Sequence, residues 1–218
     1  MTDSVHIFGP GFSTFVRVAL LVCEEKRIPY TLGKTLYGKP QETHSPAHFK
    51  VHPFGKLPVL FHGNFVLTET ASIIRYLDAT FGGETLQGNS AREKAEIDQW
   101  CSLITHYVDY HVVRQFMLEV LLPKGENGEP RFDVIAKKRP LAENALKIVE
   151  EQLGDKPYLV GNEFSLADAM LAPMLSYNLE SPEFLNVVAH SEKLTAYTKR
   201  LEARESGQKI LKPLSQSR

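Results

Sequence analysis

Cysteine is nearly absent from this chain. Cys23 and Cys101 are its only two, far apart and outside any Cys-x-x-Cys spacing. That excludes a disulfide framework, a thiolate zinc site and a dithiol redox pair. Both thiols read as buried and inert, in a protein expected to be cytoplasmic. An excess of one charge is absent too. The 25 Lys and Arg residues against 26 Asp and Glu leave a net charge of −1, without a basic run. Neither nucleic acid nor a membrane is therefore expected as a partner. The longest apolar run, Val18 to Cys23, falls far short of the ~20 residues of a spanning helix. The opening "MTDSVHIFGP" carries an acid and lacks the basic start and apolar core of a secretory leader. The 8 histidines read as scattered singly, so no metal is expected.

What is present changes character partway along the chain. Val5 to Phe8 reads as a strand, broken by Gly9, Pro10 and Gly11. From Ser13, apolar residues recur at helical spacing through Cys23, and Tyr30 to Leu32 reads as a second strand. One helix between two strands predicts a parallel crossover unit. Residues 33 to 52 look irregular, apart from a helical turn near Ala47 to Lys50. "LPVLFHGNFVLTE" reads as a hairpin, followed by a helix with Ile73, Ile74, Leu77 and Phe81 on one stripe. After residues 82 to 90 the strand signals stop. A long helix over Ala91 to Leu122, a polar loop "PKGENGEPR", a stripe of Leu141, Ala145, Ile148, Val149 and Leu153, and two final helical segments from Glu183 to Ala203 follow. In "SLAD", Ser165 and Asp168 have the spacing of a capping box and open another helix. The expected fold is a small α/β domain followed by an all-helical one.

The chemistry concentrates in "PFGKLPVL", residues 53 to 60. Pro58 heads a strand although it has no N–H to pair. A cis Leu57–Pro58 bond would turn the backbone N–H and C=O of Leu57 outward, toward an extended, peptide-like ligand. Thr68, Glu69 and Thr70 start the next helix, where free N–H groups and the helix dipole attract a carboxylate. Glu69 beside them would attract an ammonium group. A carboxylate and an ammonium next to a backbone-pairing segment describe the α-amino-acid end of a small peptide.

"HPFGKLPVL…FVLTETASIIRYL" resembles the glutathione-binding signature of the cytosolic glutathione transferases, and "EFSLADAML" resembles the capping-box helix of their helical domain. The resemblance implies a thioredoxin-like domain over residues 1–82 (βαβ-ββα, with a cis Pro58), a linker over 83–90 and an all-helical domain over 91–218. It implies that Leu57 pairs with the cysteinyl backbone of glutathione, that Glu69 and Thr70 hold its γ-glutamyl end, and that Lys56 supports them. For the glycine carboxylate the loop offers Lys39, His44 and Lys50, of which His44 is preferred.

The family's catalytic residue lies at the start of the first helix, here "FGPGFSTFVRVALL". With no tyrosine or cysteine there, a serine-type enzyme resembling the bacterial, phi- or theta-like classes fits best. Ser13 is the candidate and Thr14 the alternative. The hydroxyl would donate to the glutathione sulfur and favour its thiolate. A free thiol titrates near ~8.5, and lowering that by about two units is worth roughly 2.7 kcal/mol. The electrophile pocket implied by the resemblance would draw on Phe12, Ile104, Tyr107, Val108, His111 and Gln115. A homodimer follows from the same resemblance, with Phe54 as an aromatic key in the partner. The expected activity is conjugation of glutathione, as co-substrate, to small apolar electrophiles, without a metal. A glutathione-dependent peroxidase or dehalogenase, or a non-catalytic binding module, are the alternatives. On local grounds alone, Ser13 is also an ordinary helix cap and Glu69 an ordinary acidic first turn.

Overall fold

The computed structural model describes residues 4–211, so both extreme ends of the expected domains, 1–3 and 212–218, lie outside the described residues. Contacts divide the chain into two units, one running to Gln87 and including the residues from Arg204 on, the other Gly88–Ala203.

The first unit is built on four strands, β1 (Val5–Phe8), β2 (Tyr30–Gly33), β5 (Val59–His62) and β6 (Phe65–Leu67), in the order β2-β1-β5-β6. β1 and β2 are parallel across α1 (Thr14–Glu25), while β5 and β6 are antiparallel neighbours joined by a tight turn. Alternation along the strands sends Phe8, Val59 and Phe61 to one face. There they pack with Leu36, Ala47 and Val51, the last two from α2 (Pro46–Val51). Ile7 and Leu60 point the other way and are fully buried, and α1 packs against α3 (Thr70–Thr80).

Residues 33 to 52 are more ordered than their composition suggests. Thr35–Leu36 (β3) pairs antiparallel with Lys39–Pro40 (β4), and Tyr37 and Gly38, both at positive φ, form the connecting turn. Strands of two residues leave no periodicity to read.

The second unit is helical. Ser90 caps α4 (Ala91–Leu103): its hydroxyl accepts from the Glu93 N–H at 3.1 Å, and Glu93 accepts from the Ser90 N–H at 2.9 Å. The expected single helix to Leu122 instead widens into a π-helical stretch, Ile104–Met117, before α5 (Leu118–Leu121). Helix α6 (Phe132–Leu153) starts earlier than its sequence stripe and runs through Pro140. Its buried side is Ala142, Ala145, Leu146, Val149 and Leu153, whereas Leu141 and Ile148 face outward. α7 (Leu166–Leu179) is buried nearly all round and packs against α4, the π-helical stretch and α8 (Glu192–Ala203).

The sequence reading ends its helices at Ala203. The structure adds α9 (Glu205–Ile210), which packs on α1 and so belongs with the first unit and not with the helical one. Arg204 makes a two-pronged contact to Glu25, Ser206 also donates to Glu25, and Lys209 reaches Glu24 at 2.9 Å.

Candidate functional site

Three segments converge at one end of the sheet, and strand register brings them there. Phe8 pairs with Val59, so the residues after β1 lie beside Leu57–Pro58. Leu60 pairs with Leu67, so the residues after β6 come back to the same place.

The first segment is the loop from Gly9 to Ser13. Gly9 sits at φ +152, and a Cβ there would stand 2.6 Å from Val16 Cγ2 and 3.8 Å from Leu57 Cβ. Only glycine lets the loop pass this close to α1. The Pro10 carbonyl accepts from the Ser13 N–H at 3.1 Å, and buried Arg17 donates from Nε to the Gly11 carbonyl at 3.0 Å. Ser13 is the N-cap of α1, but its hydroxyl makes no capping bond to the helix. The ordinary-cap reading of Ser13 therefore holds for its position and fails for its side chain. Thr14 is the first helical residue.

The second segment holds Lys56, Leu57 and Pro58. The Leu57–Pro58 bond is cis. Leu57 is half-buried against the sheet and Lys56 is exposed.

In the third segment Glu69 is the N-cap of α3, at φ 68 and ψ 114, an unusual conformation for a residue with a Cβ. Its carbonyl accepts from the Ile73 N–H at 2.9 Å, its carboxylate is exposed, and Thr70 follows as a buried first helical residue.

Beside these lie two residues the sequence reading passed over. His48 is fully buried: Nδ1 accepts from the His44 N–H at 3.0 Å, and Nε2 donates to the Lys56 carbonyl at 3.0 Å. His52 is also buried: Nδ1 accepts from the Phe54 N–H at 3.3 Å, and Nε2 faces Glu69 Oε1 at 3.7 Å. Burial holds both imidazoles below the usual histidine range. Their spacing of four residues, with His44 four residues before, was the signal available in the sequence. His44 itself is exposed, at φ 64, and Lys39 and Lys50 are exposed as well.

The residues assigned to an electrophile pocket separate by exposure. Phe12 and Tyr107 are exposed, at 55% and 58%, whereas Ile104 and Val108 are buried. His111 is half-buried with Nδ1 unpartnered, and Gln115 donates to the Tyr110 hydroxyl at 2.6 Å. Phe54 is 79% exposed. Ser165 donates from both its N–H and its hydroxyl to Asp168, at 2.9 and 2.7 Å.

Neither cysteine supplies a nucleophile. Cys23 and Cys101 are buried, and burial pushes the Cys23 thiol far above its ordinary value. Among the described residues no group of His, Cys, Asp and Glu is arranged to hold a metal ion. What the convergent segments offer is one uncommitted hydroxyl at a helix N-terminus, a backbone donor and acceptor at Leu57, a second helix N-terminus and an exposed carboxylate. That is equipment for binding a zwitterionic peptide and for stabilising an anion.

Known proteins share this organisation. Residues 12–80 match the family "Glutathione S-transferase, N-terminal domain", and residues 104–205 match "Glutathione S-transferase, C-terminal domain". Glutathione S-transferase 4 of Zea mays is 27% identical over 96% of this chain and 92% of its own. The crystal structure of poplar glutathione transferase F1 superposes with a TM-score of 0.84 at 27% identity, covering 96% of this chain and 97% of the poplar one. The theta class enzyme of Xanthomonas axonopodis pv. citri, with glutathione bound, gives a TM-score of 0.81 at 25% identity, covering 97% and 99% of the two chains. With both of its domains matched in order, and relatives aligned almost end to end, the chain belongs to the glutathione S-transferase family.

Proposed function

We propose that this enzyme binds glutathione across the three convergent segments, with Ser13 activating its thiol for attack on small apolar electrophiles. The observation that carries the reading is the Ser13 hydroxyl, set at the N-terminus of α1 and left out of helix capping. A hydroxyl donor and the partial positive charge of a helix end both favour thiolate over thiol. The nucleophile is then the sulfur of glutathione, in keeping with buried, unreactive protein cysteines.

In this reading Leu57 pairs with the cysteinyl backbone, Glu69 takes the γ-glutamyl ammonium and the N-terminus of α3 with Thr70 takes its carboxylate. Lys56 supports that end, and His44 takes the glycine carboxylate. Exposed Phe12 and Tyr107 are the better candidates for contacting an apolar second substrate than buried Ile104 and Val108. His111 could supply a polar contact through its unpartnered nitrogen. The enzyme acts in this reading as a cytoplasmic homodimer with Phe54 as the intersubunit key. Among the described residues no helix is long and apolar enough to cross a membrane.

Absorbance of the bound thiolate, followed against pH, tests the assignment. The expected thiol midpoint lies about two units below the free value near ~8.5. Ser13→Ala should return it most of the way, while Thr14→Ala should leave it in place. An unshifted thiol in the unmodified protein overturns the catalytic reading, and a shift that survives Ser13→Ala removes Ser13 from the role.

A further inference from the structure

The imidazole of His48 lies behind the candidate glutathione site and ties the His44 turn to the segment that holds Lys56 and Leu57. On one side Nδ1 accepts the backbone N–H of His44, which is held at φ 64. On the other, Nε2 donates to the carbonyl of Lys56, the residue that leads directly into Leu57. Both bonds are 3.0 Å, and the ring is fully buried, lying tilted against Phe8 at the end of β1 with its centroid 5.0 Å away. An amide N–H can only donate and a carbonyl can only accept. One neutral tautomer, with its proton on Nε2, is therefore required.

We propose that His48 is a positioning residue for glutathione: as a neutral imidazole it fixes the His44 turn against the Lys56–Leu57 backbone, and its protonation weakens binding of the tripeptide. The inference rests on the reading of this site as the glutathione site, and it adds a residue that would not touch the ligand.

The sign of the pH effect follows from the hydrogen bonds. Protonation places a second donor on Nδ1, pointing at the His44 N–H, and the turn loses its acceptor. Burial disfavours the charged ring, and neighbouring His52 and His44 add to that, while the Lys56 carbonyl opposes it. The titratable groups facing this ring are His44 and His52, with Glu69 and Lys56 acting on His52 in turn. A histidine held below its ordinary value stays neutral in the folded protein until pH falls to that lowered value. Its contribution to binding is therefore complete at neutral pH and is lost as pH falls through the lowered folded value.

S-hexylglutathione is the probe, because it lacks an ionisable thiol and so removes thiol acidity from the measurement. Calorimetric titration of the full-length protein should give a constant affinity at neutral pH and a declining one as pH falls through the lowered value of His48 in the folded protein. His48→Gln keeps a donor for the Lys56 carbonyl but offers the His44 N–H a poorer acceptor. His48→Asn has the reverse defect. Each should weaken S-hexylglutathione about tenfold and flatten the acid limb. The KM for glutathione should rise with it, while kcat at saturating glutathione stays within about twofold. A merely structural histidine would lower the melting temperature without this split between KM and kcat.

If the unmodified protein binds the probe but His48→Gln keeps its affinity and its acid limb, this inference alone is overturned. A protein that fails to bind the probe at any pH overturns the functional reading and the inference with it. Should neither variant fold, the unmodified protein decides. Affinity that stays flat down to the lowest pH at which the protein remains folded overturns the role of the neutral imidazole.

Discussion

Glu69 holds its place at a conformational cost. A residue with a Cβ at φ 68 and ψ 114 is strained by about 1–3 kcal/mol, and such strain gathers where a ligand needs a side chain in one position. Glu69→Ala and Glu69→Gly separate ligand from strain. Both remove the carboxylate, so both should raise the KM for glutathione by about tenfold, the loss of one charged hydrogen bond. Only Gly also relieves the backbone, so its melting temperature should exceed that of the Ala variant. Equal melting temperatures would mean that the conformation is not strained. The sequence showed Glu69 as a ligand candidate from its neighbours Thr68 and Thr70, but it could not show the dihedral angles. Ser13 is similar: its position was legible from the Gly-Pro-Gly break, but the failure of its hydroxyl to cap α1 depends on side-chain geometry.

At the scale of elements, legibility followed length. α1, the β5–β6 hairpin and α3 were each long enough, or flanked by a strong enough turn signal, to impose a period. The β3–β4 pair escaped because two-residue strands have no period, and its turn uses Tyr37 at a positive φ where Gly or Asn would have announced it. The early start of α6 escaped because Pro140 reads as a boundary, and the helix runs through it. Ser165 and Asp168 were legible because a capping box is a local pattern, yet the reach of Asp168 was not. Its carboxylate also accepts from the Leu159 N–H at 2.8 Å and the Tyr197 hydroxyl at 2.5 Å, tying α7 to the preceding loop and to α8. Burial pushes this carboxyl up, while the four donated bonds pull it back toward the charged form. Asp168→Ala strands those donors in a dry interior and should lower the unfolding free energy by about 3–5 kcal/mol. Denaturant melts would measure it, and a loss below about 1 kcal/mol would mean that the network relaxes around the gap.

For the whole molecule, the two-unit plan was readable from the stop in strand signals after residue 82, and the return of α9 to the first unit was not. Arg204, Ser206 and Lys209 find Glu24 and Glu25 near the other end of the chain, and nothing local marks such partners. Association is likewise a property of the whole chain, and in the proposed homodimer Phe54 is the intersubunit key. It sits in a turn held by His52, whose ring accepts the Phe54 N–H and whose carbonyl accepts the Gly55 N–H at 2.8 Å. Gly55, at φ +60, could not carry a side chain, since a Cβ would stand 2.7 Å from the Phe49 ring. A large aromatic that is 79% exposed on so constrained a turn buries its apolar surface only by entering something else. If that is a pocket in a second copy, Phe54→Ala removes an anchor worth about 2 kcal/mol, a factor of roughly thirty in the dimer dissociation constant for each key lost. Two symmetric copies of the key would square that effect, to about a thousandfold. Sedimentation across a dilution series reads the constant directly. A dissociation constant that does not change on substitution would mean that Phe54 serves some other contact and that the dimer is held elsewhere.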